Sequence, residues 1–253
     1  MEINVDGIPV NCSDTGQGPE TVLILQGWGT NESLYADLAR HLSRSMRVIL
    51  PELPGFGKTP EPERPFDAAD YAAFTLRLLG RLGVERTHLI GHSNGGRIII
   101  KLCTSPHEGV EFSKLVFIDS AGIVHPKSFS AKLRQKAFKA GSRLLAPFPE
   151  ALESYKSRHG SADYRSASPV MRQTLVKLVN EDLRSLLPLI DNPVLLIWGS
   201  EDADTPIGDA LIFQSLLKDS GLVEVKGAGH YSYLEQPAFV YRVLDNYFGG
   251  QNA

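Results

Sequence analysis

The sequence predicts an α/β fold: a doubly wound, mostly parallel sheet that carries a helical insertion. Three observations lead there. Short, fully apolar runs alternate with helical patterns, as the strands of a parallel sheet covered on both faces must. The alternation stops between residues 121 and 187, where helical pattern is interrupted by Pro147, Pro149, Gly160 and Pro169, and then resumes. The stretch Leu89-Ile90-Gly91-His92-Ser93-Asn94-Gly95-Gly96 runs from a strand into a helix through a turn centred on a serine. The expected division is a sheet core of residues 1–120 and 188–253, with residues 121–187 inserted on top of it.

The elements follow in order. Ile3 to Val5 and Ile8 to Val10 flank Asp6-Gly7, a hairpin signal, and Pro9 puts the second strand at an edge or irregular position. Thr21 to Leu25 is a buried strand ending in the loop Gln26-Gly27-Trp28-Gly29, and a helix is expected from about Ser33 to Leu42. Arg47 to Leu50 is the next strand, stopped by a Pro- and Gly-rich loop from Pro51 to Gly57. Asp67 caps a helix over Ala68 to Leu82 that Gly83 closes. Strand Thr87 to Ile90, the Ser93 turn, a helix and strand Lys114 to Ile118 complete the first half. Within the insertion, Ser168-Pro169 is a cap and first-turn pair. Strand Pro193 to Trp198, a helix near Asp209 to Leu217, strand Leu222 to Val225 and a helix Pro237 to Phe248 finish the chain.

Composition narrows the function classes. The 253 residues suffice for one large α/β domain, and no apolar run approaches the roughly 20 residues of a membrane span. Met1 to Val5 has neither a basic nor an apolar signal region, and Cys12 and Cys103 have no metal spacing. A cytoplasmic, reduced protein is expected. The net charge of −3 argues against general nucleic-acid binding.

The Ser93 turn carries the chemistry. A sharp strand-to-helix turn strains its central residue, and glycines two positions away on each side remove side chains that would collide there. The serine hydroxyl is thereby presented at the sheet edge beside the N–H groups of a helix N-terminus, which can receive developing negative charge. A serine needs a base, and the base needs an orienting acid. His230, in Gly227-Ala228-Gly229-His230, follows the last strand and reaches the same edge. His41, His107, His125 and His159 read as surface histidines, and His88 and His92 do not form a metal pair. For the acid, Asp202 in Trp198-Gly199-Ser200-Glu201-Asp202 is preferred. Asp119, which ends the preceding strand, competes, and Glu201 and Asp204 stay open; Asp204 before Thr205-Pro206 also suits a helix cap.

These three motifs, in the order serine, aspartate, histidine, resemble the α/β-hydrolase family, in its serine-nucleophile branch with a helical cap. The resemblance covers nearly the whole chain and implies Ser93 as nucleophile, Asp202 as acid and His230 as base. It also implies an oxyanion hole from the N–H groups of Trp28 and Asn94, and no cofactor or metal. The expected activity is hydrolysis of small-molecule carboxylic esters, with thioesters open. Two rivals are kept: carbon–carbon hydrolysis of a vinylogous diketone, and a ligand sensor on a retained hydrolase fold. Three departures from the family pattern stand out: Gln26 where relatives carry His, Glu52 where they often carry Asp, and polar Asn94 after the nucleophile.

Charge is uneven. In 121–187 twelve basic residues against five acidic ones leave about +7, and about −10 in the rest. Lys132, Lys136, Lys139 and Arg143 form one helical stripe, beside an apolar one of Phe129, Leu133, Ala137, Ala140 and Leu144. The stripe is either an ordinary solvated face or a landing surface for an anionic partner, such as an acyl carrier protein or anionic lipid.

Overall fold

A computed structural model of the chain describes residues 1–126, 129–159 and 161–249. Among them an eight-stranded sheet has the order β1-β2-β4-β3-β5-β6-β7-β8. The strands are β1 (Glu2–Val5), β2 (Ile8–Thr15), β3 (Thr21–Leu25), β4 (Arg47–Pro51), β5 (Arg86–His92), β6 (Glu111–Ile118), β7 (Val194–Gly199) and β8 (Ser220–Val225). β1 and β2, and β2 and β4, pair antiparallel; every other pair is parallel. The Asp6-Gly7 turn closes the first hairpin with both residues at positive φ, 53° and 86°. Pro9 pairs with Asn4 of β1, in the half of β2 that has not yet reached β4, so its missing N–H breaks no ladder on that side.

Helices cover both faces: α1 (Ala36–Leu42), α2 (Ala68–Arg81), α3 (Asn94–Thr104), α8 (Ile207–Leu216) and α10 (Pro237–Gly249). β3 shows why its sequence is apolar without alternation. Leu23 and Leu25 join the core under α2, α3 and α8, while Val22 and Ile24 join the core under α1 and α10. Each fully buried aliphatic side chain contributes about 1.5–3 kcal/mol. Asp67 makes a full capping box with Asp70 at the start of α2.

Between β6 and β7 lie α4 (Phe129–Leu144), α5 (Pro149–Arg158), α6 (Ala162–Ser166), α7 (Pro169–Asn180) and a 3₁₀ turn over Arg184–Leu189. The Ser168 hydroxyl caps α7 at Met171 N–H. Several boundaries differ from expectation; β2, for one, runs on to Thr15 because its second half pairs with β4. The helix at Ser33 begins as a 3₁₀ turn, Glu32–Tyr35, because Asn31 caps it at Ser33 and draws the first turn tight. β6 starts three residues earlier, where Glu111 pairs with Arg86. A short helix, α9 (Ser232–Glu235), precedes α10. Pro206, not Asp204, stands at the N-cap of α8, with no side-chain cap bond. The Asp204 N–H is instead held by Asp202 Oδ1 at 2.8 Å, which turns the chain before the helix begins.

The apolar stripe of α4 faces outward. Leu133 is 60% and Leu144 78% exposed, and Ala137 and Ala140 are exposed between them. The packed side is Phe138, whose ring stacks on Tyr155 at 5.5 Å, together with Gly141. A Cβ at Gly141 would lie 2.6 Å from the Tyr155 hydroxyl, so this is the face on which α5 makes its close approach. Lys136, Lys139 and Arg143 are exposed beside the apolar stripe. Lys127 lies outside the described residues, as do the side chains of Phe129, Lys132 and Arg134.

Candidate active site

β5 delivers Ser93 to the carboxyl edge of the sheet, and α3 begins at the next residue. Ser93 adopts φ 50°, ψ −113°, a conformation L-residues rarely hold. Three backbone bonds over-determine it: Ser93 N–H donates to Ile118 O (3.1 Å), and Ser93 O accepts from Gly96 N–H (3.1 Å) and Ala121 N–H (3.0 Å). The flanking glycines are needed for space. A Cβ on Gly91 would stand 2.7 Å from the Gly95 carbonyl carbon, and one on Gly95 would stand 2.1 Å from Leu25 O.

The Ser93 hydroxyl makes no cap bond to α3. It lies 2.9 Å from His230 Nε2, and His230 Nδ1 lies 2.8 Å from Asp202 Oδ2. Asp202 is 5% exposed, and its carboxylate also accepts from Asp204 N–H (2.8 Å), Thr205 N–H (2.9 Å) and Thr205 Oγ1 (2.7 Å). The competitor Asp119 is committed elsewhere. Its Oδ1 accepts from Gly199 N–H at 2.7 Å, and its Oδ2 from Ser232 N–H at 3.0 Å and Ser232 Oγ at 2.6 Å. It therefore fastens the end of β6 to β7 and α9. Glu201 and Asp204 are exposed. Asp202, Asp204 and His230 offer ligand atoms within 4.8 Å of one another, the one such group among the described residues, and two of its members are the pair just described.

Ser93 and His230 open into a cleft of about 440 Å³. Trp28 and Asn94 line it beside them, and Leu175, Leu178 and Val179 of α7 form apolar wall. Among the described residues, the backbone N–H groups of Trp28 and Asn94 have no acceptor. They are the two donors named for the oxyanion from the sequence.

A sequence model described as the alpha/beta hydrolase family matches residues 22–243. The chain belongs to the alpha/beta hydrolase family. Its curated relatives include the pimeloyl-[acyl-carrier protein] methyl ester esterases of Chromobacterium violaceum, 28% identical over 90% of this chain and 94% of that protein, and of Aeromonas hydrophila, 25% identical over 95% and 99%. Among solved structures, a bacterial membrane phospholipase A superposes with a TM-score of 0.78 at 25% identity, covering 100% of this chain and 86% of that one. No helix among this hydrolase's described residues is long and apolar enough to cross a membrane.

Electrostatics in this alpha/beta hydrolase follow from burial and pairing. Burial pulls the His230 imidazole down, but the Asp202 hydrogen bond and charge outweigh it, so its pKa stands above the ordinary histidine value. Burial likewise pushes Asp202 up, and bonds from His230 and Thr205 reverse that, leaving it below the usual carboxylate range. Burial holds Asp119 up, at about 6, against its three donors.

The hydrolase's departure at Gln26 is answered by a different set of bonds behind the Trp28 loop. Gln26 Nε2 donates to Thr30 O at 2.7 Å, and Thr30 Oγ1 donates to Gly27 O at 2.8 Å. Gly27 N–H donates to the Tyr35 hydroxyl (2.8 Å), which donates to His92 Nδ1 (2.9 Å), and His92 Nε2–H donates to the carbonyl of His230 (2.8 Å). Burial, reinforced by His230, lowers His92 to about 3, so the ring stays neutral and keeps this single proton order. The sequence marked neither Tyr35 nor His92 as part of the site. Tyr35→Phe should leave the Gly27 N–H and His92 Nδ1 without partners and lower stability by about 1–3 kcal/mol in urea unfolding; an unchanged midpoint would show that water replaces the hydroxyl. Glu52, the second departure, is buried and accepts from Glu32 N–H, Asn11 Nδ2 and Lys58 N–H, so its longer side chain ties β2, the 3₁₀ turn after β3 and the loop after β4 together. His125 is no isolated surface histidine: its Nε2 lies 2.5 Å from Asp209 Oδ1 at the cleft wall.

Proposed function

We propose that this hydrolase cleaves carboxylic esters, thioesters included, through an acyl-enzyme on Ser93. The observation that carries the reading is the unbroken line Ser93 Oγ, His230, Asp202, at 2.9 and 2.8 Å, beside two unengaged backbone donors. Ser93 Oγ attacks the acyl carbon while its proton passes to His230 Nε2. Asp202 fixes the tautomer and balances the imidazolium. The carbonyl oxygen, now an oxyanion, is received by the N–H groups of Trp28 and Asn94. His230 returns the proton to the leaving alcohol or thiol as the tetrahedral intermediate collapses. Water, deprotonated by the same imidazole, then attacks the acyl-enzyme and releases the acid. Residues 121–187 act in this reading as a cap over the cleft. Fluorophosphonate labelling together with a chain-length panel of p-nitrophenyl esters tests it; a protein that neither labels nor turns over any ester would overturn it.

The base must be neutral to accept the serine proton. With its pKa raised above the ordinary histidine value of 6.5 by Asp202, kcat/KM should fall on the acid side through one ionisation lying above that value. The same raised pKa makes His230 stabilising below the unfolded histidine value and progressively less so as pH rises through the folded one. A flat acid limb down to pH 5 would remove His230 from the role.

The outward basic stripe of α4 fits an anionic acyl carrier as the partner that brings the acyl group and departs as the free thiol when its thioester is the bond cleaved. The relatives named for pimeloyl-carrier methyl esters support that partner. Lys136→Glu with Lys139→Glu should then lower kcat/KM for a carrier-bound ester about tenfold and remove its salt dependence, relative to a small neutral ester. Equal effects on both substrates would return the stripe to ordinary solvated surface.

A further inference from the structure

Arg97 has no part in the mechanism above, yet it lines the same cleft as Ser93. It sits on α3 about one helical turn, roughly 5.4 Å, beyond the nucleophile. Its side chain is 6% exposed, and its one hydrogen bond among the described residues is from Nη1 to the Glu181 carbonyl, at 2.7 Å. No described carboxylate pairs with it within 4.0 Å. The two acids whose charge reaches it, Glu181 and Asp182, pair with other cations, Glu181 through Oε1 with Lys101 at 2.6 Å and Asp182 with Arg184 at 2.6 Å; Glu181 Oε2 is buried without a hydrogen-bond partner but makes no ion pair with Arg97. Although burial lowers its pKa, to about 10, the guanidinium stays charged at neutral pH.

A buried cation without its own counter-ion is costly, and an arginine fork is matched in shape to a carboxylate. A second donor stands nearby. The side-chain Nδ2 of Asn94, three residues earlier on the same helix and lining the same cleft, is buried with no acceptor. Both groups sit on the first turn of α3, where the helix dipole adds positive potential. The acids of the cleft, Asp163, Asp204 and Asp209, belong to other elements, and Asp209 is paired with His125.

We propose that Arg97, with the Asn94 amide, binds a free carboxylate on the acyl part of the substrate, so that the preferred substrates are half-esters or half-thioesters of short dicarboxylic acids. The acyl chain lies along α3 with its ester carbonyl at Ser93 and its carboxylate at Arg97. The leaving group then points out of the cleft. For its turnover arm this rests on the ester-hydrolase reading; its binding arm does not.

Binding is measured by calorimetry in the Ser93→Ala protein, with monomethyl glutarate against dimethyl glutarate. The half-ester should bind at least about tenfold tighter, Arg97→Met in the same background should bring the two within about twofold, and Arg97→Lys should keep part of the preference. Turnover is read in parallel as the ratio of kcat/KM for the monomethyl over the dimethyl esters of succinate, glutarate and adipate. Equal binding of the two glutarates by Ser93→Ala, or a preference that Arg97→Met leaves intact, overturns the proposal. Should Arg97→Met not fold, the comparison within Ser93→Ala and the Arg97→Lys ratio still decide it. A binding preference without turnover of any ester would sink the hydrolase reading and leave the carboxylate site standing. Turnover without the preference would do the reverse. A purely structural Arg97, acting through the Glu181 carbonyl, would move both substrates equally.

Discussion

Ser93→Ala is expected to lower ester turnover by about 10⁶ and to abolish fluorophosphonate labelling, with the fold intact. The loss is large because, in the mechanism proposed, every covalent step passes through one oxygen. What remains would come from binding and the two oxyanion donors. The backbone at Ser93 supplies a second readout. Its φ of 50° belongs to a region whose occupation costs of order 1–3 kcal/mol in a residue with a Cβ. Ser93→Gly should therefore be as inactive as Ser93→Ala yet about 1 kcal/mol more stable, measured by chemical unfolding. Labelling that persisted in Ser93→Ala at the wild-type rate would remove the serine from its role. A glycine variant less stable than the alanine one would show that the turn is not strained.

Asp202→Asn should lower turnover by about 10⁴. The amide would present an N–H toward His230 Nδ1 and favour the tautomer that leaves Nε2 protonated and unable to accept from Ser93. It should also lower the pKa of His230, since the bond and charge that raise it are lost. Asp119→Asn separates the two strand-end acids. It faces three donors but not the imidazole, so its effect should be on stability, about 1–3 kcal/mol, with turnover reduced far less. If the larger loss of turnover followed Asp119→Asn instead, the orienting acid would be the wrong one.

Much of this was legible in the chain because burial on two faces writes unbroken apolar runs. β3, β4 and β7 are of that kind, and their ends are marked by Gly and Pro. The sequence preferred Asp202 to Asp119 without removing the competitor, since both follow buried strands; the path of the loop after β8 brings His230 to Asp202. α9 was missed because four residues beginning with a serine carry no helical period, and what holds it is Asp119, 113 residues away in sequence. The outward turn of the α4 apolar stripe was also hidden. Leu133 and Leu144 form an apolar helical stripe, but α5 packs through Tyr155 on the flank that carries Phe138 and Gly141. Nothing in the sequence marks Arg97, because a sequence does not record which cations its neighbouring acids pair with.

The relay from Gly27 through Tyr35 and His92 to the His230 carbonyl makes two loops into a single mechanical part. One loop follows β3 and the other follows β8, so the coupling spans the sheet rather than running along it. Engineers who diversify residues 26–30 to change which acyl groups fit would thereby be adjusting the seat of the imidazole as well. Selectivity and working pH should drift together in such a library, and variants that also break the relay at Tyr35 or His92 should be the ones in which the two can be tuned apart.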